Sequence, residues 1–142
     1  MTLDLNEALA WAAGRSPAVL ITTRGDGSPQ SSDVAFTIQN GQFVISLTNK
    51  RAKTSNIRRD PRVVLHLTAP GEWSYVAFSG SATLTPVATD PNDAVVEQLV
   101  AYYEQVTGSG HPDWDEYRAA MVAEGRLLLH LRPDRAVGQI RG

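Results

Sequence analysis

The chain has 142 residues, 42% hydrophobic, 20% charged and 7% aromatic, with a formal net charge of −2 and no cysteine. That composition excludes a disulfide framework, a cysteine nucleophile, an iron–sulfur cluster and a cysteine zinc site, and its apolar content argues against disorder. One domain over residues 1–142 is expected, burying roughly 70% of the surface of its unfolded chain; no stretch approaches the ~20 apolar residues of a membrane span, the opening MTLDLNEALAWAAG lacks a basic leader, and the expectation is a cytoplasmic protein that binds no nucleic acid.

In chain order, Asp4-Leu-Asn-Glu7 reads as a capping box that starts a helix, with Leu5, Leu9 and Ala12 on one face and Gly14 as its stop. The β-branched run Ala18–Thr23 predicts a strand. Turn chemistry at Gly25-Asp-Gly-Ser-Pro29 leads into a second strand over Gln30–Ile38. Asn40-Gly41 is a type I′ hairpin signal. Beyond it, Phe43, Ile45 and Leu47 alternate with Val44, Ser46 and Thr48, a third strand with one wet face. A short helix over Arg51–Arg58 follows and ends at Asp60-Pro61, because a residue before proline is pushed out of the helical region.

Val63, Leu65 and Leu67 mark the fourth strand, and Trp73–Thr85 a long fifth with Gly80 as a bulge or bend. Asp90-Pro91 reads as an N-cap followed by proline at the first helical position. The helix after it carries an apolar stripe of Val95, Val96, Leu99, Val100, Tyr103 and Val106, and Gly108 closes it. Another helix follows His111-Pro112, with Trp114, Tyr117 and Met121 on one face and Gly125 as its stop. Leu127–Leu131 is a sixth strand, and Ala136–Ile140 a short final one. Strands at hairpin spacing without a βαβ alternation predict a mainly β fold, an antiparallel barrel of six to seven strands with α insertions.

Most site chemistries find no footing. There is no G-x-S-x-G elbow. His66, His111 and His130 lie far apart, and none has a second ligand at helical or strand spacing, so no metal site is expected. Asp113, Asp115 and Glu116 read as the acidic start of a helix. The exception is a basic block. Six of the 13 lysines and arginines fall between Lys50 and Arg62, opposed there only by Asp60, whereas Asp90 to Glu116 holds seven acids and no base. Ser46 and Thr48 leave a strand as Arg51, Lys53 and Thr54 enter a helix. Helix-start amides, guanidinium donors, an ammonium and a hydroxyl thus converge, which is the combination a phosphate requires. A solvated helix face accounts for Arg58 and Arg59, which also fit a groove for an anionic tail.

The run KRAKTSNIRRDPR (Lys50–Arg62), followed by Gly71-Glu-Trp-Ser-Tyr75 and Gly80, resembles the pyridoxamine 5′-phosphate oxidase-like superfamily. In detail it is similar to that group's actinobacterial flavin/deazaflavin oxidoreductases, which use coenzyme F420. Thr22–Gln30 (T-x-R-x-D-G-x-P-Q), Asp113-Trp-Asp-x-Tyr-Arg118 and Arg126-Leu-Leu-Leu129 fit the same subgroup. The resemblance implies a split β-barrel of the FMN-binding type, a homodimer with the cofactor at its interface. It implies that Arg51, Ala52, Lys53 and Thr54 grip the cofactor phosphate, that Gln30, Ser32, Ser46 and Leu47 line the ring and ribityl pocket, and that Trp73, Ser74, Tyr75 and Val76 reach in from the partner. Lys50, Arg58 and Arg59 would meet the anionic tail of the coenzyme.

The activity so implied is hydride transfer from reduced F420 to a conjugated small-molecule acceptor such as a quinone, a tetrapyrrole or an enone. The cofactor carries the chemistry, so no catalytic dyad is expected; Tyr75 is the candidate proton donor. An FMN-dependent oxidase or reductase of the same fold, and a non-catalytic flavin or deazaflavin carrier, are the alternatives.

Overall fold

The computed structural model describes residues 1–141. Its elements run α1 (Leu5–Ala12), β1 (Ala18–Thr23), β2 (Pro29–Val34), β3 (Thr37–Gln39), β4 (Gln42–Thr48), α2 (Ala52–Arg59), β5 (Arg62–Ala69), a 3-10 turn at Pro70–Glu72, β6 (Ser74–Leu84), α3 (Ala94–Thr107), α4 (Trp114–Ala123) and β7 (Arg126–Gln139). The seven strands form one antiparallel sheet in the order β2-β1-β5-β6-β7-β4-β3.

The chain connectivity forces that sheet to curl. β2 and β3 are its two edges, yet only Ala35 and Phe36 separate them. In a flat seven-stranded sheet the edges would stand about 29 Å apart, whereas so short a link spans about 10 Å. The edges therefore approach one another and the sheet closes into a half-barrel. The predicted second strand over 30–38 is divided at this link, because the chain must change edges there.

Inside the barrel, Leu20, Phe43, Ile45, Leu65, Phe78, Leu127, Leu129 and Leu131 are fully buried. Each such side chain contributes about 1.5–3 kcal/mol of transfer free energy. Phe43 meets Phe36 and Phe78 edge-on at 5.2 and 4.8 Å between centroids. Ala8 and Ala12 of α1 and Ile57 of α2 pack against this core.

A second apolar layer corrects the expectation of a wet face on β4. Val44 is fully buried with Leu128, under Val96, Leu99, Tyr102, Tyr117 and Met121 of α3 and α4. The buried stripe of α3 is Val95, Val96, Leu99 and Tyr102; Tyr103 is half-buried and Val106 lies at the surface, because the sheet beneath receives a slightly rotated face.

Other boundaries differ for identifiable reasons. The Asp4 carboxylate accepts from the Glu7 amide at 2.9 Å, one half of the expected box. The N-cap of α3 is Asp93, not Asp90: its carboxylate accepts from the amides of Thr89, Val96 and Asp90, hydrogen bonds that lower its pKa. The two expected C-terminal strands are the single β7. Pro133 cannot donate to a ladder, and it stands opposite Gly80, next to the register shift between Ser79 and Gly80 that leaves Asp134 unpaired.

Candidate functional site

The curled sheet leaves a seam. β3 pairs only with Gln42–Val44, so the outer edge of β4 from Ile45 to Thr48 has no strand beside it. α2 straddles this seam. On one side Thr54 Oγ1 donates to the Thr48 carbonyl at 2.7 Å. On the other, Asn56 Nδ2 donates to Thr22 Oγ1 at 3.1 Å and Gln30 Oε1 at 2.7 Å. Arg51 caps α2 without a side-chain bond, so the first amides, at Ala52 and Lys53, have no intrahelical acceptor and carry the positive end of the helix dipole.

A cavity of about 220 Å³ opens at that helix start, lined by Ser46, Leu47, Thr48, Arg51, Lys53 and Arg126. Through Ser46, Lys53 and Arg126 it joins a groove of about 450 Å³ walled by Tyr102, Tyr103, Tyr117 and Met121. Past Arg51 and Arg126 it continues into a cleft of about 630 Å³ that includes Asn49, Lys50 and Gly125. A larger concavity, about 720 Å³, lies elsewhere, lined by Ile21, Val63, Val64 and Ser79 of β1, β5 and β6, with Arg62 as its one cation among the described residues.

The electrostatics of the small cavity are one-sided. Among the described residues no carboxylate lies within ion-pair distance of Lys50, Arg51 or Lys53. Burial, and then the neighbouring Arg51 and Arg126 guanidinium groups, hold the Lys53 ammonium below its ordinary pKa. Arg126 lies 3.0 Å from Glu124 and donates to Ser46 Oγ at 3.4 Å; the pair is partly exposed, so solvent weakens it. Like charges at Arg51 and Lys53 without a carboxylate beside them are uphill alone and are relieved by an anion.

The aromatic wall is built on α3 and α4. Tyr103, His111, Trp114 and Tyr117 pack tilted or edge-on at 5.0–5.9 Å. Burial raises the Tyr117 phenol to about 12, and its hydroxyl donates to the Leu99 carbonyl at 2.8 Å. The Tyr102 hydroxyl donates across the seam to Ala35 at 3.1 Å.

Thus Ser46, Leu47, Arg51 and Lys53 are brought together at one spot, with Lys50 in the adjoining cleft, while Ala52 opens α2 between Arg51 and Lys53 without lining either. The Leu47 side chain belongs to the core, so what it offers a ligand is backbone. Thr54 is fully buried with its hydroxyl spent on Thr48, and ties helix to strand instead of facing an anion. Gln30 and Ser32 project from one face of β2; Ser32 Oγ is buried with no hydrogen-bond partner among the described residues.

Trp73, Ser74, Tyr75 and Val76 lie far from the cationic cavity. Tyr75 pairs with Gln139, whereas Ser46 pairs with Leu128, eleven positions along β7 and about 36 Å of strand. Trp73, at positive φ, is 76% exposed, and Tyr75 is 43% exposed and stacked on His66. Ser74 is buried, accepting from the Arg141 amide. Val76 is buried in the core and paired on both sides, so no face of it is free. Arg59 is not a free tail-binding cation: its guanidinium donates to the Thr23 carbonyl and Asn56 Oδ1.

Two site residues escaped the sequence reading. Arg126 opens β7 and reaches the cavity only because β7 pairs with β4, placing it opposite Thr48. Asn56 stood in the basic block, but nothing local told that its side chain turns inward.

Comparison with known proteins accords with this geometry. Residues 5–139 match the family described as pyridoxamine 5′-phosphate oxidase. A conserved hypothetical protein of Mycobacterium tuberculosis superposes with a TM-score of 0.76 at 21% identity, covering 97% of this chain and 85% of that one. An F420 reductase superposes at 0.61 with 22% identity, covering 87% and 90%. A pyridoxamine 5′-phosphate oxidase-related, FMN-binding protein of Nostoc punctiforme gives 0.66 with 17% identity, covering 97% and 84%. A heme storage protein of Vibrio cholerae has the same fold, at 0.67 with 15% identity, covering 96% and 94%. Together, the half-barrel and a match running from α1 to the end of β7 establish that the chain belongs to the pyridoxamine 5′-phosphate oxidase family.

Proposed function

We propose that the protein is a reductase that uses the deazaflavin coenzyme F420 to reduce a conjugated small-molecule acceptor. The observation that carries this reading is the pair Arg51 and Lys53, with no carboxylate in ion-pair distance among the described residues, beside Arg126 at the start of α2 and an open strand edge. Arg51, Lys53 and Arg126, with the free amides of Ala52 and Lys53, are suited to hold a phosphate. Ser32, Gln30 and the backbone of Ser46 and Leu47 offer hydrogen bonds along the seam for a ring. When bound, the coenzyme supplies a hydride from C5 of its reduced ring, and the protein supplies orientation and shielding from water.

Trp73 and Tyr75 reach such a ring only from a second copy, so the functional unit in this reading is a homodimer and each site is completed by its partner. Tyr75 is then the candidate proton donor. The three histidines, all among the described residues, lie outside the cationic cavity and its two extensions, which favours a phosphorylated ligand over a histidine-ligated heme. FMN would use the same residues and is the second reading, supported by the FMN-binding relative of the same fold.

Fluorescence titration with F420 and FMN side by side tests the proposal. Binding of F420, followed by oxidation of its reduced form that depends on an added quinone or enone, is expected. A folded protein that binds no deazaflavin ends the proposal, and a yellow protein that retains FMN on purification decides for the second reading. Binding without acceptor-dependent oxidation would make the protein a carrier.

A further inference from the structure

The polarity of the seam is set by a chain of three side chains, Arg59, Asn56 and Gln30. A guanidinium only donates hydrogen bonds. Arg59 Nη2 donates to Asn56 Oδ1 at 2.9 Å, and the Arg59 head is itself anchored on the Thr23 carbonyl at 3.1 Å, over Gly25, where a Cβ would stand 3.5 Å from it. The Asn56 amide can therefore be oriented in one way only. Turned over, it would set its NH2 against the guanidinium, donor against donor.

With its oxygen toward Arg59, Asn56 turns its NH2 to Thr22 Oγ1 and Gln30 Oε1. Gln30 must then give its oxygen to Asn56, which leaves its own Nε2 group, with two hydrogens, free of any protein partner among the described residues. Asn56 and Thr22 are buried, so water does not relax this choice, while Gln30 is half-exposed on the same face of β2 as Ser32. Reversing the chain at any link would leave a buried donor facing a donor, at a cost comparable to a lost hydrogen bond.

We propose that Asn56 is a positioning residue: it fixes the Gln30 amide so that this point of the seam is a hydrogen-bond donor, and so selects ligands that present an acceptor there, such as the carbonyl-bearing edge of a flavin or deazaflavin ring. The inference rests on the proposed function for the identity of the ligand, and adds which side of the amide the ligand meets. The neighbouring Ser32 hydroxyl, buried and without a partner among the described residues, extends the same polar strip.

Asn56→Asp separates this role from folding. The carboxylate still accepts from Arg59, and the Thr22 hydroxyl, which accepts from Asn56 in the wild type, can turn to donate to it, so the fold is retained, but it cannot donate to Gln30. The Gln30 amide then turns its NH2 inward and its oxygen to the seam. Titrations of wild type, Asn56→Asp, Gln30→Ala and the double variant with FMN, riboflavin and F420 read the outcome. Asn56→Asp is expected to weaken every ligand the wild type binds by about tenfold, with or without a phosphate, yet to add no further loss in the Gln30→Ala background.

Gln30→Glu, which accepts from Asn56 but offers no donor to the ligand, should lose a similar factor. Affinity within twofold of wild type for Asn56→Asp, or an equal loss with Gln30 already removed, overturns the inference while leaving the proposed function standing. A folded wild type that binds none of the three ligands overturns both.

Discussion

Gly80 on β6 faces Pro133 on β7 at the point where the two strands slip register, and a Cβ at position 80 would lie 2.1 Å from the Arg132 carbonyl oxygen. The residue without a side chain and the residue without an amide answer one another. Backbone, not a flexible side chain, occupies the space, so Gly80→Ala should destabilise the protein by about 1–3 kcal/mol through overpacking. Denaturant unfolding checks this; an unchanged midpoint would mean that β7 shifts freely at Pro133.

Lys53 opposes stability to function. Its pKa lies below the ordinary 10.5 in the folded chain, chiefly through burial. The unfolded chain therefore holds this proton more tightly, so the ligand-free protein carries a penalty at neutral pH that is relieved as pH rises through the lowered value toward 10.5. Lys53→Met should raise the melting temperature of the free protein. Lys53→Ala should weaken FMN or F420 by about 1–3 kcal/mol, the cost of a lost charge-assisted hydrogen bond, and leave riboflavin nearly unchanged. Wild-type affinity for phosphorylated ligands should fall as pH rises through the Lys53 transition. Melting curves and titrations across alkaline pH read both effects.

Thr54→Val removes the buried hydroxyl that ties α2 to Thr48. A stability loss of about 0.5–1.5 kcal/mol is expected, with ligand affinity reduced less than by Lys53→Ala. The opposite ordering would return Thr54 to the phosphate site.

Much of the fold was legible in local chemistry. Asn40 and Gly41 both take positive φ, at 53° and 75°, and the hairpin they predict is present. Ala18–Thr23 and Gln42–Thr48 are strands with the expected bounds, and the basic block is a helix displaced by a single residue. What escaped depended on partners distant in the chain. The burial of Val44 requires α3 and α4, the break after Val34 requires the sheet to curl, and the fused β7 requires Gly80 opposite Pro133. The same division holds at the site: the cations Arg51 and Lys53 advertise themselves in sequence, whereas Arg126 and Asn56 acquire their places only through strand pairing and an inward-turned helix face. Thr54, by contrast, looked like a ligand group and is a tie.

Trp73 tests the proposed two-copy site. It is 76% exposed in one chain, so Trp73→Ala should cost that chain little stability. If Trp73 completes the site of a partner, the same change should lower ligand affinity by tenfold or more, since buried aromatic anchors dominate interfaces with about 2 kcal/mol or more each. Sedimentation should show a dimer for the wild type. A stable monomer that binds ligand normally would contradict this arrangement.

The central claim is that the cations at the start of α2 hold a phosphate, and the most direct measurement compares each phosphorylated ligand with its phosphate-free form: FMN with riboflavin, and F420 with its dephosphorylated deazaflavin. The account predicts at least a tenfold preference for the phosphorylated member of the pair the protein binds, abolished by Lys53→Ala. Equal affinity for the two members, or a preference that survives Lys53→Ala, would contradict it.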